Sequence, residues 1–279
     1  MKKLILTLMA FAMLFTGQAF AEDIGAKVES GMKKYFKENE IPLDIKIQVI
    51  SKVKEPKGLY FIQMTLSDPA SGRSQEQFVF SDGKYIMPDI LTIDGNTSLK
   101  DILTFNASEK VEMDLSKLTL MEGNKDAKHV IVKVSDFQCP YCRKAYEYLH
   151  SEIERRNLDV AVYMMHLPLS FHPKAQIYAQ IFEAGKEVGA DFGDDLYRTN
   201  KEFDAKPDEE IIEHFAKMTK DAAKFKALVK SPSVAGKIKM QADMAADLGI
   251  TGTPELFFDG KPVGGFKQSM YNLALDSFK

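Results

Sequence analysis

Residues 129–156 read "HVIVKVSDFQCPYCRKAYEYLHSEIERR" and contain both of the chain's cysteines, Cys139 and Cys142. The first part, 129–137, is a nearly continuous run of β-branched residues, as expected of a strand buried on both faces. The last part, 143–156, has helical spacing. A C-x-x-C placed between strand and helix serves one of three chemistries: half a zinc site, a haem attachment point, or a redox dithiol. Haem attachment needs a histidine after the second cysteine, and residue 143 is arginine. A structural zinc needs four ligands. His166 and His172 lie on or beyond a different strand, and there is no second C-x-x-C.

The dithiol reading explains more of the pattern. A thiol reacts as thiolate, and a helix N-terminus lowers its pKa. Cys139 falls where the strand ends and the helix begins, so unpaired N–H groups of the first turn can face its sulfur. Pro140 has no N–H and suits the first helical position. Cys142 lies three residues on, on the same face but deeper. Cys139 is therefore the expected attacking thiol and Cys142 the resolving one, with Tyr141 tuning the reaction. A bridge between them closes too small a loop to add much stability.

The chain has 279 residues and begins "MKKLILTLMAFAMLFTGQAFA". Two lysines, a short apolar run and Ala19-Phe20-Ala21 form the pattern of a cleaved signal peptide over residues 1–21. The apolar run is shorter than the roughly 20 residues that span a bilayer. The formal net charge is −3, and losing Lys2 and Lys3 leaves −5. Such a surface carries no footprint for nucleic acid. The leader points to a periplasmic location, where disulfides persist.

Residues 22–106 read as a small α+β domain. Ile24, Val28, Met32, Tyr35 and Phe36 keep helical spacing. "LDIKIQVISKV" alternates as a half-buried strand, and "GLYFIQMTL" and "SQEQFVFSDGKYIM" follow, with a hairpin at Asp82-Gly83. Residues 107–124 are charged with helical spacing and read as a partly helical linker. Residues 125–279 form the second domain. After 129–156 come a buried strand in "DVAVYMMHLPL", helices from Pro173 to Leu248 broken at Pro207 and Pro232, two strands across Asp259-Gly260, and a helix over 268–278. This is the element order of a thioredoxin fold, an α/β fold, here carrying a helical insertion.

"SDFQCPYCRKA" and "GITGTPELFFDGK" together resemble the Dsb group of thioredoxin-fold disulfide oxidoreductases. "LPLSFHPKA" is similar to a stretch of the DsbA-like branch, while the CPYC dipeptide and the threonine before the proline resemble DsbG. "FVFSDGKYIM" is similar to the cystatin-like dimerisation domain of the DsbC/DsbG isomerases. The resemblance implies a homodimer joined through residues 22–106 and a periplasmic thiol–disulfide isomerase or reductase acting on exported proteins. A membrane redox partner would recycle it; no cofactor or metal is called for. It also implies a cis Thr253-Pro254 bond facing the cysteines, with the Thr253 backbone pairing to an extended substrate, so that Pro140, Tyr141, Thr253 and Pro254 form the substrate site. A DsbA-like oxidase donating disulfides is the alternative within the class; a holdase chaperone with an apolar cleft between subunits is the alternative outside it. Many relatives carry an acid six residues before the first cysteine, where this chain has Lys133. Its stem is expected to be buried with the amine reaching the strand end; the other reading is charge support for the thiolate.

Overall fold

The computed structural model describes residues 23–93 and 97–278. The signal peptide reading, 1–21, lies outside the described residues. The chain divides into two compact units, Met1–Ala107 and Ser108–Lys279. Among the described residues, no helix is long and apolar enough to cross a membrane.

The first unit holds helix α1 (23–38), strands β1 (Asp44–Lys52), β2 (Tyr60–Ser67), β3 (Ser74–Ser81) and β4 (Ile86–Met87), and helix α2 (Leu99–Ala107). The strands form an antiparallel meander in the order β1-β2-β3-β4. Successive strand residues point to opposite faces, and both faces of this sheet are used. Ile62, Met64, Val79 and Ile45 pack with Val28 and Phe36 of α1. Their neighbours Phe61 and Phe80 pack with Leu99 and Leu103 of α2. At the β3–β4 turn Asp82 Oδ1 accepts from the N–H groups of Lys84 and Tyr85, and Gly83 takes the left-handed conformation at φ +88°. Helix α2 is absent from the sequence reading, which places only the end of the domain in that stretch.

The second unit carries β5 (Thr119–Glu122), β6 (His129–Ser135), α3 (Pro140–Arg156), β7 (Val160–His166), α4 (Ala175–Glu187), α5 (Gly193–Tyr197), α6 (Lys201–Asp204), α7 (Asp208–Ala216), α8 (Ala222–Val229), α9 (Pro232–Asp247), β8 (Glu255–Phe258), β9 (Lys261–Gly264) and α10 (Gln268–Asp276). The sheet order is β5-β7-β6-β8-β9. Strands β6 and β7 run parallel, joined by α3, and the other pairings in this sheet are antiparallel. Helices α4 to α9 fill the stretch between β7 and β8 as the expected insertion.

Residues 108–122 differ from the partly helical linker expected over 107–124. Helix there is limited to a 3-10 turn at Leu115–Lys117, and Thr119–Glu122 is a strand paired with β7. The physical reason is a short period-two pattern: Thr119 and Met121 are buried while Leu120 and Glu122 are only half-buried. Gly123, at φ +81°, ends this strand beside Val160.

Candidate active site

The strand–helix junction is built by local hydrogen bonds. Asp136, buried at the end of β6, accepts from Gln138 N through Oδ1, and its carbonyl accepts from Cys139 N. Its other oxygen, Oδ2, accepts from Leu169 N at 3.1 Å and pairs with His172 Nδ1 at 2.6 Å. Thus the "LPLSFHPKA" loop is tied to the loop before the cysteines. Cys139 is the extended N-cap residue of α3, with φ −65° and ψ 122°, and Pro140 occupies the first helical turn. Arg143 holds the turn from behind: Nε donates to Phe137 O at 2.9 Å, Nη1 to Thr199 O at 2.7 Å, and Nη2 to Thr199 Oγ1 and the Asp204 carboxylate.

Both cysteines are free thiols. Cys139 is 4% exposed and Cys142 fully buried, one turn deeper on α3. The Thr253–Pro254 peptide is cis, and Cys139 Sγ lies 3.6 Å from Thr253 O. Residues separated by 114 positions therefore meet at this sulfur. A hydrogen bond from the Cys142 thiol brings the Cys139 pKa down to about 5. Burial opposes this, while the N–H groups of Cys142 and Tyr141 reinforce it. Burial pushes Cys142 well above the ordinary thiol range, and the neighbouring Cys139 adds to the effect. The two thiols are thus pushed in opposite directions, Cys139 toward the thiolate and Cys142 away from it.

Pro140 and Tyr141 are exposed at the rim, Tyr141 by 60%. Thr253 is half-buried and Pro254 buried. Among the described residues no group of histidines, cysteines and carboxylates is arranged to hold a metal ion.

Lys133 differs from expectation. Its amine does not reach the strand end; the whole side chain is buried, with Nζ 4.6 Å from the Tyr146 ring centre and 4.5 Å from that of Tyr197. Two aromatic faces offer the ammonium a partner inside the core, so it need not extend to water. Sequence reasoning also missed Asp136 and Arg143 as site-building residues. The signal for Arg143 was its position one turn after Cys139, but its partners lie 56 and 61 residues away. His172 closes a turn by donating its N–H to Leu169 O and also pairs with Asp136.

A family model described as Thioredoxin matches residues 116–275. A Na(+)/H(+) antiporter NhaA of Salinispora tropica is 29% identical over 143 residues, which are 50% of this chain and 22% of that protein. The chain thus spans about a fifth of the length of the curated relatives it matches. Among solved structures, oxidised BdbD from Bacillus subtilis is 17% identical at a TM-score of 0.50, covering 61% of this chain and 95% of that one. A thioredoxin-like oxidoreductase from Silicibacter pomeroyi is 22% identical at a TM-score of 0.49, covering 58% and 91%. With its family match running from the turn before β5 into α10, and its cysteines at the start of α3 facing a cis proline, the chain belongs to the thioredoxin family.

Proposed function

We propose that the protein is an exported, periplasmic thiol–disulfide oxidoreductase, with Cys139 as attacking thiolate and Cys142 as resolving thiol. The observation that carries the reading is the Cys139 sulfur at the start of α3, 3.6 Å from Thr253 O and facing the cis Thr253–Pro254 bond, with its pKa drawn down by the Cys142 hydrogen bond. In the reducing direction the Cys139 thiolate attacks one sulfur of a substrate disulfide. A Cys139–substrate bond forms as the substrate S–S bond breaks, and the first substrate thiolate leaves. Cys142 then attacks Cys139 Sγ, closing the Cys139–Cys142 disulfide and releasing the second substrate thiol. Run in reverse, the same steps oxidise a substrate dithiol. When a substrate thiol resolves the mixed disulfide in place of Cys142, the substrate is isomerised. Tyr141 and Pro140 at the rim, with Thr253 and Pro254 opposite, supply the surface for an extended substrate chain.

The first reading of direction is an isomerase or reductase working as a homodimer through residues 22–106. Its support is a separate α+β unit whose antiparallel sheet ends in the edge strands β1 and β4, a geometry that invites pairing with a second copy. The second is a dithiol oxidase recharged by a membrane partner. A Cys139 pKa near 5 favours it, because a stabilised thiolate stabilises the reduced form and makes the disulfide a stronger oxidant. The experiment is to give the purified protein a scrambled disulfide substrate and, separately, a fully reduced one. Recovery of native pairings from the scrambled substrate supports the first reading; oxidation of the reduced substrate without reshuffling supports the second. Neither activity, with aggregation still suppressed by Cys139→Ser, would leave the chaperone.

A further inference from the structure

Lys133 is 1% exposed on β6, between Val132 and Val134. Its Nζ donates to Met121 Sδ at 3.7 Å and sits between the rings of Tyr146 and Tyr197. Those are modest partners for a buried ammonium, whose desolvation is costly. The charged and titratable groups facing it are Glu122 from β5, Cys142 and Tyr146 from α3, and Tyr197 from α5. Cys142 and Tyr146 are one turn apart on the buried side of α3. Ser135 shares the face of β6 that carries Lys133. Its Oγ is 2.7 Å from Tyr197 Oη, and it also hydrogen-bonds Cys142. The tyrosine cage thus holds the buried amine against Met121, Tyr146 and Tyr197, the same side chains that share a buried cluster with Cys142.

We infer that Lys133 is a positioning residue for the resolving step, its buried ammonium stabilising the Cys142 thiolate as it attacks the mixed disulfide; the inference rests on the dithiol chemistry proposed above. In that step the Cys142–Cys139 bond forms as the Cys139–substrate bond breaks, and the proton given up by Cys142 ends on the departing substrate thiol. Burial makes the Cys142 thiol hard to ionise, and a nearby opposite charge offsets that. Burial brings the Lys133 pKa down to about 8, against the pull of Glu122 and Cys142, so the cation is present at neutral pH and lost above it.

The two steps separate with 5,5′-dithiobis(2-nitrobenzoate). Attack by Cys139 releases one thionitrobenzoate, and resolution by Cys142 releases the second. Rapid mixing of the full-length reduced protein from pH 5 to 9 follows both. In Lys133→Met the second phase should be about tenfold slower at pH 7. The first phase should be unchanged, and Lys133→Arg should match the parent up to about pH 8 and keep its advantage over Lys133→Met above it, since arginine stays charged. The gap between parent and Lys133→Met should narrow above pH 8, where the lysine loses its proton. Lys133→Gln carries the same expectation if the methionine variant does not fold. A second phase in the neutral variant that superimposes on the parent's, or an arginine variant no faster than the methionine one, would overturn the inference. No first phase in the parent would instead remove the oxidoreductase reading itself.

Discussion

At the residue scale the chemistry concentrates in two sulfurs that differ only by one helical turn. Iodoacetamide at pH 6 should label Cys139 more than tenfold faster than Cys142, since only the former is thiolate there. Peptide mapping after a timed quench checks it; equal rates would undo the role assignment. The Cys139 pKa also sets a pH dependence of stability. A thiol held at about 5 in the folded state, below its ordinary 9.0, stabilises the reduced protein fully above the ordinary value. That contribution is lost as pH falls through about 5. Urea unfolding of the reduced protein should therefore show stability rising between about pH 5 and 9 relative to Cys139→Ser. The place of the cysteines at a strand–helix junction was legible from spacing, and the cis Thr253-Pro254 bond from the family resemblance. Lys133 was not: a lysine in a hydrophobic run looks the same whether its amine escapes to water or is caged by tyrosines distant in sequence.

At the element scale the second unit is held by polar contacts as well as by apolar packing. Glu183 on α4 accepts from Thr119 Oγ1 of β5, pairs with His166 Nε2 of β7 at 2.8 Å, and meets Lys237 of α9. Burial pushes its pKa up, but His166 and Lys237 outweigh that and hold it at about 2. The ionised form therefore stabilises the fold, in full above the ordinary 4.5 and progressively less as pH falls toward 2. Glu183→Ala should cost about 3–5 kcal/mol by denaturant melts, as expected for one side removed from a buried pair. Glu183→Gln should flatten the acid limb of the stability curve between pH 4.5 and 2. Gly123→Ala should destabilise by at least about 1 kcal/mol, because its φ is +81° and an added Cβ would fall 2.0 Å from Val160 O. A thermal melt reads that loss as a lower Tm. Strands of seven to nine residues and helix breaks at proline were visible in the sequence. Strand β5 was hidden because four residues give too short an alternation to stand out from charged neighbours.

At the scale of the whole molecule, the first unit offers no cysteine and the second carries the whole dithiol site. If the homodimer reading holds, light scattering on the mature protein should give twice the chain mass, and a monomer would move the functional reading toward the oxidase. The division into two units was legible from the shift between an antiparallel strand run and a strand–helix–strand pattern. How the insertion serves the site was not, since a string of helices between β7 and β8 looks like an appendage. The Arg143 guanidinium makes it otherwise: one planar group is mortised into Phe137, just ahead of the nucleophile, and into Thr199 and Asp204 of the insertion. Substitutions around α5 and α6 should thereby be felt at the turn that carries Cys139, and the insertion becomes the anvil against which that turn is set.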